Sequence, residues 1–335
     1  TTGVRMHARR QDHTNGRRTG RDITPARIAA IDIGSNSIRG VIADVAPDRS
    51  YILLADERFQ TRLAADIAET GALSEERMED SLAALEHLLL LAEEHDASLV
   101  RAVATEAVRQ ARNSDDFIAR ARTRLELDIE IIDGETEGRF AFLSARANFE
   151  LPNRVCIFDI GGGSLELVQV VRDRVKQVRS LPLGAVRLLA TLPDAEDPPS
   201  PATLDGLADR VRHDLAAALG PRVRPVPTLI GSGGTVTSLV GVTVAARGGD
   251  PLAIQGQSIS AAECHDAWAD LAALPREERM DVPGLAPYRA DTCVPGGVVV
   301  CELMRLLDAE NLFANQRGLR EGILLDTIAR LGRRR

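Results

Sequence analysis

The residues best suited to chemistry are two aspartates that each begin a glycine turn. Asp32 opens the segment Asp-Ile-Gly-Ser-Asn-Ser, and Asp159 opens Asp-Ile-Gly-Gly-Gly-Ser-Leu-Glu. Each segment lies between two apolar stretches, which predicts a tight turn joining paired strands. The N–H groups of such a turn can converge on an anion, and a carboxylate there can bind a metal ion or its water. The alternative is an ordinary hairpin of common turn residues; the three consecutive glycines of the second segment favour ligand binding there, because they are costly to order.

Three further segments carry candidate groups. Gly231-Ser232-Gly233-Gly234-Thr235 follows an apolar strand and precedes a helix, which is typical of a phosphate turn but also of many strand–helix junctions. Arg109 follows a predicted strand and could reach a phosphate, although a surface arginine is the commoner case. Glu135 and Glu137 open a predicted helix, where they serve either the helix dipole or general-base catalysis.

The near absence of lysine excludes two classes of enzyme. Of 41 Lys and Arg residues only Lys176 is a lysine, and no phosphate loop lies beside it. A Walker-type phosphate loop needs a Gly-Lys-Ser/Thr sequence, and a Schiff-base enzyme needs a nucleophilic lysine. The strong cationic anchors must therefore be guanidinium groups, which grip phosphate with two hydrogen bonds.

Composition is that of a globular protein of about two domains. The sequence shows no apolar run of membrane-spanning length and no signal peptide, and its four cysteines form no C-x-x-C pair, which predicts reduced thiols in a cytoplasmic protein without a membrane partner.

The net charge of −8 combines +5 on residues 1–27, +4 on 330–335 and −17 on the residues between. The basic segment 1–27 lacks hydrophobic periodicity and is predicted to be disordered; the acidic body and the few aromatics argue against a nucleic-acid partner.

The predicted elements repeat along the chain. Strands at 28–32, 38–45 and 51–59, a helix capped by Ser74, a strand at 99–104, short helices at 106–124, a strand at 129–133 and a helix at 135–148 form one series. Strands at 155–159, 165–171 and 175–181, a loop at 194–201, a helix at 203–219, a strand at 226–230 and helices at 260–272, 288–308 and 318–332 follow. Together with the repeated Asp-Ile-Gly turn, this order predicts two similar halves, which we divide as residues 28–150 and 151–335.

These segments, in this order, resemble the motifs of the exopolyphosphatase/guanosine pentaphosphate phosphohydrolase (Ppx/GppA) family. Shorter stretches resemble it too: Arg62-Leu63, residues 70–74, 183–187, 289–291 and 318–322. The resemblance spans residues 28–330 and implies an α/β fold of the actin, heat-shock-70 and sugar-kinase superfamily. Such a fold consists of two duplicated, ribonuclease H-like domains with the active site in the cleft between them.

The resemblance also implies roles for individual residues. Glu137 would activate the attacking water, and Arg109, the second catalytic residue, would hold the phosphate. Asp159, Glu166 and Asp32 would bind Mg²⁺, or Mn²⁺ in its place. Phosphate would be bound by the residues of the three turns: Gly34, Ser35, Asn36, Ser37, Gly161, Gly162, Gly163, Ser164, Gly233, Gly234 and Thr235.

The implied function is an acid anhydride hydrolase that removes the terminal phosphate of polyphosphate. The acidic body and the lack of the long relatives' C-terminal helical domain favour short chains. Hydrolysis of guanosine pentaphosphate (pppGpp) or another nucleotide, a kinase or ATPase of the same superfamily, and a non-catalytic nucleotide-binding regulator are the alternatives. Relatives often dimerise, so a homodimer is one expected assembly. The family often has Glu-Glu-Ala-Arg where this chain has Thr136-Glu137-Gly138-Arg139, which loosens the helix start but keeps the glutamate.

Overall fold

The computed structural model describes residues 5–6, 24–193, 197–220 and 224–332. Two compact units divide these residues. The first unit comprises residues 24–147 and 319–332, and the second comprises residues 5–6 and 148–318.

Short segments of regular structure alternate through both units. The strands are β1 (Arg5–Met6), β2 (Ala26–Ile33), β3 (Ile38–Val45), β4 (Tyr51–Phe59), β5 (Leu99–Ala104), β6 (Ile129–Ile131), β7 (Phe149–Glu150), β8 (Arg154–Ile160), β9 (Leu165–Val171), β10 (Arg174–Leu181), β11 (Thr228–Gly233), β12 (Ser258–Ser260) and β13 (Asn311–Ala314). The helices are α1 (Ile67–Thr70), α2 (Glu75–Glu94), α3 (Glu106–Gln110), α4 (Ser114–Leu125), α5 (Gly134–Asn148), α6 (Ala185–Leu189), α7 (Pro201–Leu219), α8 (Gly234–Ala246), α9 (Ala261–Ala273), α10 (Arg276–Arg279), α11 (Cys293–Leu306) and α12 (Gly318–Leu331).

The two units repeat one sheet topology. The sheet of the first unit has the order β4-β3-β2-β5-β6, and that of the second has the order β10-β9-β8-β11-β13-β12. In both, three antiparallel strands joined by short connections are followed by parallel strands reached through helices. The duplication predicted from the two Asp-Ile-Gly turns is therefore present, with β12 as an addition to the second sheet.

Both faces of the first sheet are covered. Successive strand residues point to opposite faces, so Ile31 and Ile33 pack beneath α2 and α4, with Leu85 and Phe117. Ile28 and Ala30 point the other way, into a core built with residues of α5 and α12. The same alternation places Asp32 on the face that α5 and α12 cover.

One face of the second sheet carries a large core. Cys156, Phe158 and Ile160 of β8 contribute to it, together with residues of α7, α8, α9 and α11. The alternation that buries these residues sends Asp159 to the opposite face of the sheet.

Helix α12 differs from the sequence-based division. We assigned residues 319–331 to the second half, but Leu319, Ile323, Leu324 and Ile328 pack in the core of the first unit beside Ile28. The hydrophobic pattern of α12 predicts a buried face but does not identify the sheet that buries it.

Smaller differences concern the ends of elements. Residues 5–6, which were expected to be disordered, pair with Phe149–Glu150; residues 1–4 and 7–23 of that segment lie outside the described residues, as do 194–196 of the predicted loop. Ser74 occupies the N-cap position of α2, but its hydroxyl donates to Asp66 instead of capping the helix. The short strands β12 and β13 and the helix α6 were not predicted.

The described residues contain no helix that is both long and apolar enough to span a membrane. All four cysteines are free thiols, and three of them are buried. Burial raises the pKa of the Cys156 thiol to about 12.

The assignment of α12 predicts a local stability effect. Leu324→Ala removes a fully buried side chain and should cost about 2–5 kcal/mol, whereas the same change at Leu90, which is 56% exposed on α2, should cost little. Urea unfolding measures the free energy of unfolding of each variant, and amide hydrogen exchange shows which strands lose protection. Protection should fall in β2 and β3; a loss of protection confined to β8 and β9 would contradict the assignment.

Candidate functional site

A row of four polar side chains crosses the second sheet. Asp159 of β8 lies directly opposite Glu166 of β9, Glu166 lies opposite Ser180 of β10, and Asp159 is also in register with Ser232 of β11. Residues opposite one another in a sheet share a face. The predicted juxtaposition of Asp159 and Glu166 on paired strands is therefore confirmed.

Both carboxylates accept hydrogen bonds from the flanking serines. Ser232 Oγ donates to Asp159 Oδ2 at 2.9 Å, and Ser180 Oγ donates to Glu166 Oε1 at 2.7 Å. Glu166 is 1% exposed. Gly318, whose φ of +54° favours glycine, lies beside this pair, and a Cβ there would be in ordinary contact with Asp159 Oδ2 at 3.7 Å. The two serines fix the orientations of the carboxylates.

The triple-glycine turn is held from behind by the start of α6. The carbonyl of Gly161 accepts from Ala185 N, that of Gly162 from Arg187 N, and that of Gly163 from Arg187 Nε, at 2.9–3.0 Å. In a trans peptide the carbonyl points opposite to the following N–H. The N–H groups of Gly162, Gly163 and Ser164 therefore point away from α6, which is the arrangement of an anion-binding nest.

The turn at Gly233 and Gly234 requires glycine at the first position and brings the second against a guanidinium. Gly233 has a φ of +94°, and a Cβ there would lie 2.1 Å from the carbonyl oxygen of Ile160. A Cβ on Gly234 would overlap the guanidinium of Arg289, which packs against the N-terminus of α8. Thr235 is buried in the first turn of that helix. This turn thus combines a helix N-terminus with a nearby guanidinium.

The first unit repeats the turn geometry. Gly34 N donates to Ser37 O at 3.2 Å, as Gly161 N does to Ser164 O at 3.0 Å. The carbonyls of Ser35 and Asn36 accept from Ala64 N and Arg62 N. By the same peptide geometry, the N–H groups of Asn36 and Ser37 point away from that segment.

The two predicted catalytic residues lie together in the first unit. Arg109 Nη1 is 3.7 Å from Glu137 Oε2 and donates to the carbonyl of Ile132. The other amino group of Arg109 pairs with Glu106. Glu137 is only 6% exposed. Arg109 is therefore placed to orient the buried carboxylate of Glu137.

The start of α5 is fixed by Asp133. Its Oδ1 accepts from Thr136 N at 2.8 Å, and its carbonyl accepts from Glu137 N at 3.0 Å. Hydrogen bonds from the side chain and the backbone of Thr136 lower the pKa of Asp133, so this group stays ionised. The capping interaction offsets the loosening expected from Gly138 in this turn.

The carboxylates of Asp159 and Glu166 in the second unit are ligands that suit a magnesium ion. Among the described residues no group of three or more His, Cys, Asp or Glu side chains converges on a metal site. Mg²⁺ is usually held by one or two carboxylates, with waters and substrate phosphates completing its shell, and Asp159 with Glu166 offers that set. Asp32 differs, because the residue opposite it on β3 is Arg39 where Asp159 has Glu166. The metal role of Asp32 stays a prediction.

Sequence reasoning did not identify the supporting groups. Ser180, Ser232 and Arg187 were passed over as site residues, and their role depends on strand register and on the packing of α6. The hairpin turn that joins β9 and β10 indicates that the strands pair, but a bulge between Val175 and Gln177 shifts the register by one residue, and this shift brings Ser180 opposite Glu166.

The chain is similar to two mycobacterial exopolyphosphatases and to one crystal structure over most of its length. Exopolyphosphatase 2 of Mycobacterium tuberculosis is 32% identical over 317 residues, covering 90% of this chain and 97% of that protein. Exopolyphosphatase 1 of Mycobacterium leprae is 28% identical over 304 residues, covering 89% and 88%. The crystal structure of the Ppx/GppA family member of Aquifex aeolicus superposes with a TM-score of 0.78 at 30% identity and covers 92% of this chain and 99% of that one.

The duplicated sheets and their glycine turns form a two-unit α/β fold that is shared with this Ppx/GppA structure. The sequence profile of the Ppx/GppA phosphatase family matches residues 41–331, and the chain belongs to that family. The resemblance drawn from the motifs is thereby confirmed.

The packing of α6 on the triple-glycine turn predicts a functional defect. A Cβ on Gly184 would lie 2.3 Å from Gly162 O, so Gly184→Ala must displace the turn. We expect a KM for the phosphorylated substrate raised by roughly tenfold or more, because a 1 Å shift can cost about a hundredfold. Gly206→Ala, where nothing lies within 4 Å of the added carbon, is the matched control. Steady-state phosphate release measures both, and equal KM values would refute the role given to α6.

Proposed function

We propose that this protein removes the terminal phosphate from inorganic polyphosphate by Mg²⁺-dependent hydrolysis, with a preference for short chains. The observation that carries the proposal is the Asp159–Glu166 pair beside the triple-glycine turn. The pair places two carboxylates next to a row of N–H groups that point away from α6, an arrangement that suits a phosphate together with its counter-ion. The names of the mycobacterial relatives support the same substrate class.

The proposed reaction is attack by water on the terminal phosphorus. Glu137 accepts a proton as water attacks, the bond from phosphorus to the bridging oxygen breaks, and the shortened chain leaves. The glycine N–H groups hold the phosphate oxygens, and Arg109 orients Glu137 and stabilises the developing charge. Bound Mg²⁺ would neutralise phosphate oxygens at Asp159 and Glu166. Phosphoryl transfer depends mainly on positioning and charge stabilisation, so no covalent nucleophile is needed.

Charge favours short chains. The body of the protein is acidic, and many of its arginines are engaged in ion pairs with carboxylates, which reduces their capacity to bind a long polyanion. These arginines include Arg101, Arg120, Arg124, Arg212, Arg247, Arg279 and Arg320.

A substrate panel tests this proposal. Phosphate release is measured from short and long polyphosphates at equal concentrations of chain ends, and from pppGpp and ATP, each with Mg²⁺ and with EDTA. We expect the highest kcat/KM on short polyphosphate and loss of release with EDTA. Activity that rises steadily with chain length would contradict the preference, and a higher kcat/KM on pppGpp would reassign the substrate. Binding without release from any compound would indicate a regulator.

Glu137→Gln tests the general base. The amide keeps the shape of the side chain but cannot accept the proton, so kcat should fall by about 10²–10⁴-fold. Glu135→Gln on the same helix turn removes a 60% exposed carboxylate that pairs with Arg139, and it should leave kcat within about twofold, since surface pairs contribute little. Wild-type kcat in Glu137→Gln would rule out the assignment.

A further inference from the structure

A buried carboxylate that the proposed reaction does not use links three elements of the first unit. Glu321, in the first turn of α12, is 4% exposed. Its Oε1 accepts from the Tyr51 hydroxyl of β4 at 2.5 Å, and its Oε2 accepts from Ser144 Oγ of α5 at 2.7 Å. A buried carboxylate is costly unless its oxygens are hydrogen-bonded, and the N-terminal turn of a helix favours its charge. Glu321 thus joins β4, α5 and α12 through buried hydrogen bonds.

The α5 partner lies on the same helix face as the proposed base. Ser144 is seven residues after Glu137, which is two helical turns, and Phe140 lies one turn after it. Residues spaced in this way line one side of a helix. Displacement of this side of α5 therefore displaces Glu137 with it.

The next residue of α12 makes a second close contact with α5. A Cβ on Gly322 would stand 2.2 Å from the carbonyl oxygen of Phe140. The absence of a side chain at Gly322 thus sets how near the two helices come, while the Glu321–Ser144 hydrogen bond fixes how far one slides along the other. Phe140 is also part of the apolar core that includes Leu319 and Ile323.

We propose that Glu321 is a positioning residue for Glu137, acting through Ser144 to hold α5 in its catalytic register. Asp133 fixes the first turn of α5, and Glu321 fixes the helix two turns further on. The expected effect on catalysis rests on the proposed role of Glu137 as the general base. Glu321 does not touch the substrate; its effect is on the placement of the carboxylate that accepts the proton.

Two substitutions test this as a matched pair. Ser144→Ala and Tyr51→Phe each remove one hydroxyl donor from the same carboxylate, a loss that a folded protein ordinarily survives. Only Ser144 lies on the helix that carries Glu137. We expect Ser144→Ala to lower kcat by roughly tenfold to a hundredfold with KM nearly unchanged. Tyr51→Phe, with a similar fall in thermal midpoint, should leave kcat within about twofold.

Amide hydrogen exchange supplies a readout that does not depend on the reaction. Residues 135–141 should exchange faster in Ser144→Ala than in Tyr51→Phe, because opening of α5 requires less free energy once its partner is lost. Equal exchange in the two variants, or an equal loss of kcat in both, would overturn the proposal. If the wild-type protein releases no phosphate, the proposed function fails, and the exchange comparison still decides whether Glu321 anchors α5.

Discussion

The candidate site depends on the register between β8 and β9. A turn closed by the Gly161–Ser164 hydrogen bond fixes which residues oppose one another, and it sets Asp159 against Glu166. Slippage by one residue would send one carboxylate to the opposite face, into the apolar core. The short turn, the alternation of buried residues and the packing of Phe158 and Leu167 into that core all select the same register.

This register has an electrostatic cost that gives it a chemical use. Two carboxylates directly opposite on neighbouring strands repel each other. Ser180 and Ser232 offset part of that repulsion by donating to one oxygen of each pair member. The remaining negative charge attracts a cation, and the adjoining N–H groups attract an anion. This combination of charges is the reason for proposing a phosphate together with a magnesium ion as the ligands.

Local patterns in the sequence predict most of the strands and the three turns, because strand alternation and glycine content are local properties. The ends of β3, β4, β5 and β9 were predicted to the residue. Properties that depend on distant packing were missed. Neither the packing of α12 beneath the first sheet nor the buttress formed by α6 has a local signal, since an apolar helix face is compatible with several partners. The function of Ser144 and Glu321 was hidden for the same reason: they are 177 residues apart and meet only in the folded core.

The duplicated halves use one scaffold with different charges. Where Asp159 faces Glu166, the equivalent Asp32 faces Arg39. The register thus sets a carboxylate opposite a guanidinium in the first unit and two carboxylates opposite each other in the second, while the first-unit turn still presents N–H groups of Asn36 and Ser37. The first unit instead holds Glu137 and Arg109 on α5 and α3. The equivalent register positions of the two units thus carry side chains of opposite charge, Arg39 and Glu166. Because the chain has a single lysine, the proposed phosphate contacts depend on glycine N–H groups and guanidinium groups.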